Sequence, residues 1–328
     1  PHPADSALVA ESAVVADSAL VADSALVAES AVAADAARAA AGQRGDASAV
    51  TWRDAVRGAH RILAEAGVPS PEVDARLLAE HVLGGLLVTA GPPTADQLTA
   101  YAALVERRRR REPLQHLTGE MFFRHLRLVS APGAFVVRPE TELVAEEAVT
   151  AARRLPAPRV VDLCTGSGAI ALAVATEVPA AEVWAVELSE AALAVARRNA
   201  ADVAPHVTLV QDDAATALPE LDGTVDVVVS NPPYVPPDAV PRDPEVRDHD
   251  PDLALYGGGH DGLDVPRAVL RTAARLLRPG GTLVMEHAEV QATAVRAAAT
   301  GTGAFVDVRT VQDLSGRDRM VVARRSDA

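Results

Sequence analysis

From Arg159 onward, short apolar runs alternate with helical segments, and that rhythm leaves the chain few ways to fold. Val160-Val161-Asp162-Leu163 is followed by a helix from Ala169, and Val183-Trp184-Ala185-Val186-Glu187 by a helix over 189–199. Val207-Thr208-Leu209-Val210 and Val225-Asp226-Val227-Val228-Val229 come next. Runs this short and this apolar are strands covered on both faces, and a helix between successive strands forces a parallel crossover. The pattern predicts an α/β doubly wound, Rossmann-like parallel sheet. A helix over 265–277, a turn at Arg278-Pro279-Gly280-Gly281, a strand over 282–286, a further helix and closing strands over 305–311 and 319–323 complete the expectation.

Ligands of such sheets sit beyond the carboxyl ends of the strands, so the segments leaving the strands are the place to look for chemistry. The first is Asp162-Leu163-Cys164-Thr165-Gly166-Ser167-Gly168, where glycine lets a ligand approach both the backbone and a helix N-terminus. Gly166 to Ala171 also fits the dinucleotide fingerprint, with Glu187 about 20 residues on for a ribose diol, so a nicotinamide dehydrogenase is one reading. The second is Ser230-Asn231-Pro232-Pro233-Tyr234. Its prolines remove backbone donors and hold the chain extended. The Asn231 side-chain oxygen and the Pro232 carbonyl can then accept from one planar –NH2 group while the Tyr234 ring covers its flat face. That is a clamp for an amide or an amino-base. A clamp does not place a hydride acceptor, and Asp162 at the strand end suits a cationic ligand better than a pyrophosphate. S-adenosylmethionine (SAM) satisfies both conditions.

Upstream the character changes twice. Residues 5–40 repeat every six positions, as in Asp5-Ser6-Ala7-Leu8-Val9-Ala10, and the acids spread around a helix without leaving an apolar stripe; we read 1–48 as a helical or disordered tail. Residues 49–113 carry three helix signatures, capped at Thr51, Ser70 and Thr94, and form a small helical domain. It ends in Arg107 to Arg111, expected to be a solvated helix C-terminus or a contact for an acidic or nucleic-acid partner. Residues 114–142 read as a hairpin linker, and 143–328 as the catalytic domain.

Aromatic residues make up only 3% of the 328, so the core must be built from Ala, Val and Leu. The net charge of −14 disfavours gripping nucleic acid through its phosphates. One cysteine, Cys164, excludes an internal disulfide, and no spacing suggests a metal. With no signal-peptide pattern and no long uncharged apolar run, the expectation is a cytoplasmic, metal-free protein.

The Asp-x-x-x-Gly-x-Gly loop, the acid after the second strand and Asn231-Pro232-Pro233-Tyr234 together resemble the class I SAM-dependent methyltransferases that act on amino groups. Within them, Glu112-Pro113-Leu114-Gln115, Gly119-Glu120, Arg138-Pro139-Glu140-Thr141-Glu142, Glu245-Val246-Arg247 and Pro251-x-x-Ala254-Leu255 resemble the release-factor glutamine-N5 methyltransferases. The similarity runs from about Thr51 to the C-terminus. It implies that SAM is held by Cys164, Thr165, Gly166, Ser167 and Gly168, with Glu187 at its ribose, Asp213 and Ala214 at its adenine, and Asn231 in reach. It further implies that Asn231, Pro232, Pro233 and Tyr234 bind the glutamine amide of a Gly-Gly-Gln loop, while the helical domain engages the release factor. The chain departs from the family pattern in Cys164, where glycine is usual, in Val137, where proline is frequent, and in Ala214, where an aromatic often covers the adenine. The same clamp would accept the amino group of adenine, so DNA or RNA methylation is the rival. A binding module without turnover is the alternative outside the enzymes. Residues 235–252 carry six acids against Arg242 and Arg247, which argues for a protein substrate.

Overall fold

The computed structural model describes residues 50–327; the hexapeptide repeat and the rest of 1–48 lie outside them. Contacts divide the chain into two units that meet between Thr118 and Gly119.

The first unit is helical. Helix α1 (Trp52–Glu65) starts at Thr51, whose hydroxyl oxygen accepts from the Asp54 backbone N–H. Helix α2 (Pro71–Leu83) has its proline in the first turn, where no donor is needed, and stops at Gly84 in the left-handed conformation. Helix α3 (Ala95–Arg109) opens on a reciprocal Thr94–Gln97 capping box, and α4 (Leu114–Thr118) closes the unit. Their apolar faces meet around Trp52, Leu63, Leu78, Tyr101 and Leu117. Trp52 and Tyr101 stack edge to face at 5.7 Å, and the Tyr101 hydroxyl donates to the Ala75 carbonyl at 2.9 Å.

The arginine run is exposed, as expected, at Arg107, Arg109 and Arg110, and departs from that expectation at Arg108. Arg108 is buried and donates to the buried Asp74 carboxylate at 2.8 Å and to the Glu112 carbonyl at 3.0 Å. Arg107 pairs with Glu112, Arg109 and Arg110 pair with Glu106, and Arg111 donates to the Gly67 carbonyl. Arg108 and Arg111 tie this end to distant parts of the unit, whereas Arg109 and Arg110 pair within their own helix.

The second unit opens with the hairpin β1 (Glu120–Phe123) and β2 (Leu126–Val129), followed by helix α5 (Thr141–Ala152). The alternation then runs β3 (Arg159–Leu163), α6 (Ala169–Glu177), β4 (Glu182–Glu187), α7 (Glu190–Val203), β5 (Thr208–Gln211) and β6 (Val225–Ser230). The short α8 (Pro244–His249) and α9 (Asp252–Leu255) precede α10 (Asp264–Leu276), β7 (Leu277–Glu286), α11 (Ala292–Gly301), β8 (Phe305–Gln312) and β9 (Asp318–Arg325). The seven strands lie in the order β5-β4-β3-β6-β7-β9-β8, with β3 to β7 parallel and β9 antiparallel to both its neighbours. The sheet is therefore mixed, parallel in its centre and antiparallel at one edge. Arg278-Pro279-Gly280-Gly281 is no turn between elements: it lies inside β7 as a bulge, where the register against β6 jumps between Val225 and Val227.

Neighbouring residues of the central strands point to opposite faces, each with its own core. Val160, Val227 and Val229 face one, and Val161, Leu163 and Val228 the other. The hairpin contributes Met121, Phe123, Leu126 and Leu128 to the first of these cores, beside Val144 and Ala148 of α5. From β3 the chain builds outward to β4 and β5, then returns to place β6 on the other side of β3. The strand order reverses there, and the carboxyl ends of β3 and β6 flank the crevice that results. Among the described residues no helix is long and apolar enough to cross a membrane.

Candidate active site

At that crevice a cavity of about 390 Å³ opens, lined by residues leaving β3, β4, β5 and β6 and by the start of α5. Such a volume suits a drug-sized ligand.

The wall from β3 is the glycine loop. Ser230 at the end of β6 donates its hydroxyl to the Leu163 carbonyl at 2.6 Å, which ties the two flanking strands where they end. The chain then passes through Cys164 at φ +61°, Gly166 at +59° and Gly168 at +87°. Thr165 N–H donates to the Val186 carbonyl, and Asn199, fully buried, donates to the Ser167 carbonyl while bridging both backbone groups of Val129. Asp162 holds the loop from beneath: its carboxylate accepts from the Thr165 hydroxyl at 2.6 Å and the Ala171 N–H at 3.1 Å. It is fully buried and off the cavity wall, so it is a strut of the loop and not a partner for a cation in the cavity. Burial pushes its carboxyl up to about 7, against the pull of the Thr165 and Ala171 hydrogen bonds.

Cys164, Thr165, Gly166, Ser167, Glu187, Asp213, Ala214, Asn231, Pro232, Pro233 and Tyr234 all line the cavity. Gly168 does not. Its N–H is spent on the Thr165 carbonyl, and a Cβ there would meet Leu172 Cδ1 at 3.3 Å and Ala196 at 3.5 Å, so the glycine serves the turn and the packing of α6. Above Gly166 a Cβ would meet nothing within 4 Å, which leaves room for a ligand against the backbone.

Glu187 ends β4 and accepts at both oxygens, from Gly166 N–H at 2.8 Å and Ser189 N–H at 2.8 Å. Each carboxylate oxygen keeps a second acceptor direction, which is what a ribose diol requires. Asp213 accepts from the Ala215 N–H at 2.8 Å, an Asx turn that holds Ala214 on the wall. The Ser167 hydroxyl is buried without a protein partner at the same wall. Backbone room, an acceptor pair for a diol, an apolar slot with Val186, Leu188 and Ala192, and an orphaned hydroxyl together fit an adenosine-bearing cofactor. Among the described residues no group of three metal-ligating side chains converges.

The opposite wall is Asn231, Pro232, Pro233 and Tyr234. Asn231 Nδ2 donates to Thr141 Oγ1 at 3.3 Å, Thr141 donates to Glu286 Oε2 at 2.8 Å, and the Tyr234 hydroxyl donates to Glu286 Oε1 at 3.3 Å. Thr141 is the first residue of α5, and Glu286, almost fully buried, is the last of β7. Burial pushes Glu286 up to about 7, with Thr141, Arg319 and Tyr234 pulling it back, and lifts the Tyr234 phenol well above its usual range.

Behind this wall the segment 255–262 packs backbone against backbone. Val235 N–H donates to the Leu255 carbonyl at 2.8 Å and Gly257 N–H to the Val235 carbonyl at 3.0 Å. Gln291 Nε2 reaches the Tyr234 carbonyl at 2.8 Å. Sequence reasoning overlooked Asn199, Glu286, Gln291 and the glycine-rich 257–262; the glycine cluster was the one local signal that could have flagged a close backbone approach.

Of the six acids over 235–252, Glu245 and Asp250 are buried. Asp250 pairs with Arg138 at 2.9 Å, and its carboxyl is pushed up to about 6 by burial. That leaves four exposed acids against the two exposed arginines, a weaker excess than the sequence count implies.

Comparison with known proteins adds independent findings. A family model described as the PrmC N-terminal domain matches residues 54–119, and one described as a methyltransferase domain matches 160–243. The release factor glutamine methyltransferase of Streptomyces coelicolor is 52% identical over 270 residues, 80% of this chain and 94% of that protein. Its namesake from Mycolicibacterium smegmatis is 49% identical over 277 residues, covering 83% and 97%. Among solved structures, a methyltransferase from Pyrococcus furiosus aligns over 61% of this chain and 88% of its own, at 19% identity and a TM-score of 0.45.

Proposed function

The chain belongs to the release factor glutamine methyltransferase family, and on that premise we propose that it transfers a methyl group from SAM to the side-chain amide nitrogen (N5) of the glutamine in the Gly-Gly-Gln motif of a peptide chain release factor. The observation that carries the reading is the orientation of Asn231. Asn231 lines the cavity, its Nδ2 is engaged by Thr141, and its Oδ1, for which no donor is found among the described residues, is left as the acceptor for a ligand.

SAM, bound along the glycine loop with Glu187 at its ribose and Asp213 and Ala214 at its adenine, supplies a methyl group already activated by its sulfonium. An amide nitrogen is a weak nucleophile because its lone pair is delocalised, so the residues opposite have to orient it. Asn231 Oδ1 and the Pro232 carbonyl accept the two hydrogens of the substrate –NH2. This fixes the plane of the amide and stabilises the positive charge that develops on nitrogen as the N–C bond would form and the S–C bond break to a neutral thioether; one of the two N–H protons would then be lost to solvent. Tyr234 and Pro233 wall the amide face and exclude water. The helical first unit, over which the PrmC N-terminal model matches, is assigned to holding the release factor.

The test is transfer of labelled methyl from SAM to a purified release factor and to its Gln→Ala variant. Label on the first and none on the second is expected. Transfer to naked DNA or RNA with none to the release factor would make the protein an adenine methyltransferase. Binding of SAM without transfer to any of them would leave a binding module.

A further inference from the structure

We propose that Thr141 and Glu286 are positioning residues for the methyl-accepting nitrogen: they lock the Asn231 amide so that its oxygen, and not its –NH2, faces the cavity. The inference rests on the functional reading above and deepens it.

The two ends of an asparagine side chain have nearly the same shape, so packing alone does not choose between them. The choice is made by polarity. Ionised, Glu286 can only accept, and it accepts from the Thr141 hydroxyl at 2.8 Å and the Tyr234 hydroxyl at 3.3 Å, so the lock is complete above about pH 7, where the variants below are compared. With its one hydrogen committed to Glu286, Thr141 Oγ1 can only accept in turn. The group it faces at 3.3 Å must therefore be the –NH2 of Asn231, and Oδ1 is left pointing at the cavity. Reversing the amide would set Asn231 Oδ1 against an oxygen with no hydrogen to give, and would present two donors to a substrate –NH2 that also donates.

The lock is built from distant parts of the chain and is buried. Thr141 is 1% exposed and Glu286 3% exposed. Asn231 directly follows β6, Thr141 opens α5 and Glu286 ends β7, three elements packed together in the second unit. A buried carboxylate is costly to keep unless its hydrogen bonds are used, and here they set the orientation of the one side chain whose polarity the reaction requires.

Asparagine occurs twice in the sequence, at positions 199 and 231, so labelling with 15N-asparagine isolates the two side-chain amides, with Asn199 as internal reference. The experiment compares the wild type with Thr141→Val, which keeps the shape and removes the hydroxyl, and Thr141→Ser, which restores it. Thr141→Val is expected to shift the Asn231 –NH2 signals and lower kcat by at least about tenfold, the worth of one misdirected hydrogen bond. The dissociation constant for SAM should change by less than about twofold, since the glycine loop and Glu187 are untouched. Thr141→Ser should restore both the signals and kcat. Should Thr141→Val fail to fold, Glu286→Gln carries the same readouts. Unshifted Asn231 signals, or an unchanged kcat in a wild type that does methylate the release factor, would overturn the lock. A wild type that methylates no release factor would instead overturn the functional reading, and the Asn231 signals would still decide the lock.

Discussion

In the proposed mechanism Asn231 acts through one oxygen, so its removal separates catalysis from cofactor binding. Asn231→Ala should lower kcat by about a hundredfold, on the scale of losing one preorganised transition-state contact, and leave SAM affinity nearly unchanged in calorimetry. At Cys164 the backbone lies in the left-handed region, with φ at +61°. A branched side chain is strained in that region by roughly 1–2 kcal/mol, whereas glycine is not. Cys164→Val should therefore lower the denaturation midpoint and Cys164→Gly should not, as urea titration would record. Glu286 gives a pH signature as well. Its folded value lies near 7, above its usual 4.5, so the native state holds a proton that the unfolded chain has already released. Its contribution to stability is complete below 4.5 and is lost as pH rises through about 7. Asp162 and Asp250, raised by burial to about 7 and about 6, act in the same direction. Glu140 and Arg319 face Glu286 with opposite effects, and Tyr234 stays neutral throughout this range. The thermal midpoint should fall between about pH 5 and pH 8, and Glu286→Gln should flatten that fall.

At the scale of elements, the Asn231 wall depends on the glycine-rich segment behind it. A Cβ at Gly257 would lie 1.9 Å from the Gly262 carbonyl oxygen and 2.5 Å from that of Pro233, and one at Gly262 would lie 2.3 Å from the Tyr234 carbonyl oxygen. All these neighbours are backbone, which cannot swing aside. Gly257→Ala should displace the clamp and cost at least about tenfold in kcat, because misplacing a catalytic group by an ångström already costs more than that. Gly223→Ala, in open space but also at positive φ, should change stability alone. This contrast also marks what could be read in advance. Strand runs, caps and the two loops at the strand ends are local patterns, and they placed the sheet and eleven of the twelve expected lining residues on one cavity. Gly168 stands off the cavity wall, and a glycine that makes a turn and one that admits a ligand look the same in a sequence. Thr141 and Glu286 are 145 residues apart, and nothing periodic joins them. Arg108 read as surface because its partner Asp74 lies 34 residues away on another helix. Pairings of that kind belong to the tertiary fold.

The whole molecule consists of two units, each with a core of its own, so a lesion in one need not disable the other. Deleting residues 1–48, whose repeats offer no apolar stripe, should leave turnover within about twofold. The first unit is the sharper case. Its Asp74–Arg108 pair is buried on both sides, and removing one partner leaves the other as an uncompensated charge, at a cost of roughly 3–5 kcal/mol. A small helical unit has little more stability than that to lose. Arg108→Ala should therefore melt the first unit while the second, with the glycine loop and the Asn231 wall, keeps its structure and its affinity for SAM. If the first unit holds the release factor, methylation of the whole release factor should collapse. Transfer to a short Gly-Gly-Gln peptide, which has nothing for that unit to hold, should stay near its wild-type rate. Circular dichroism would follow the lost helix, calorimetry the retained SAM affinity, and the ratio of the two transfer rates the division of labour. Equal losses on protein and peptide would mean that the helical unit supports the catalytic one and does not recognise the partner.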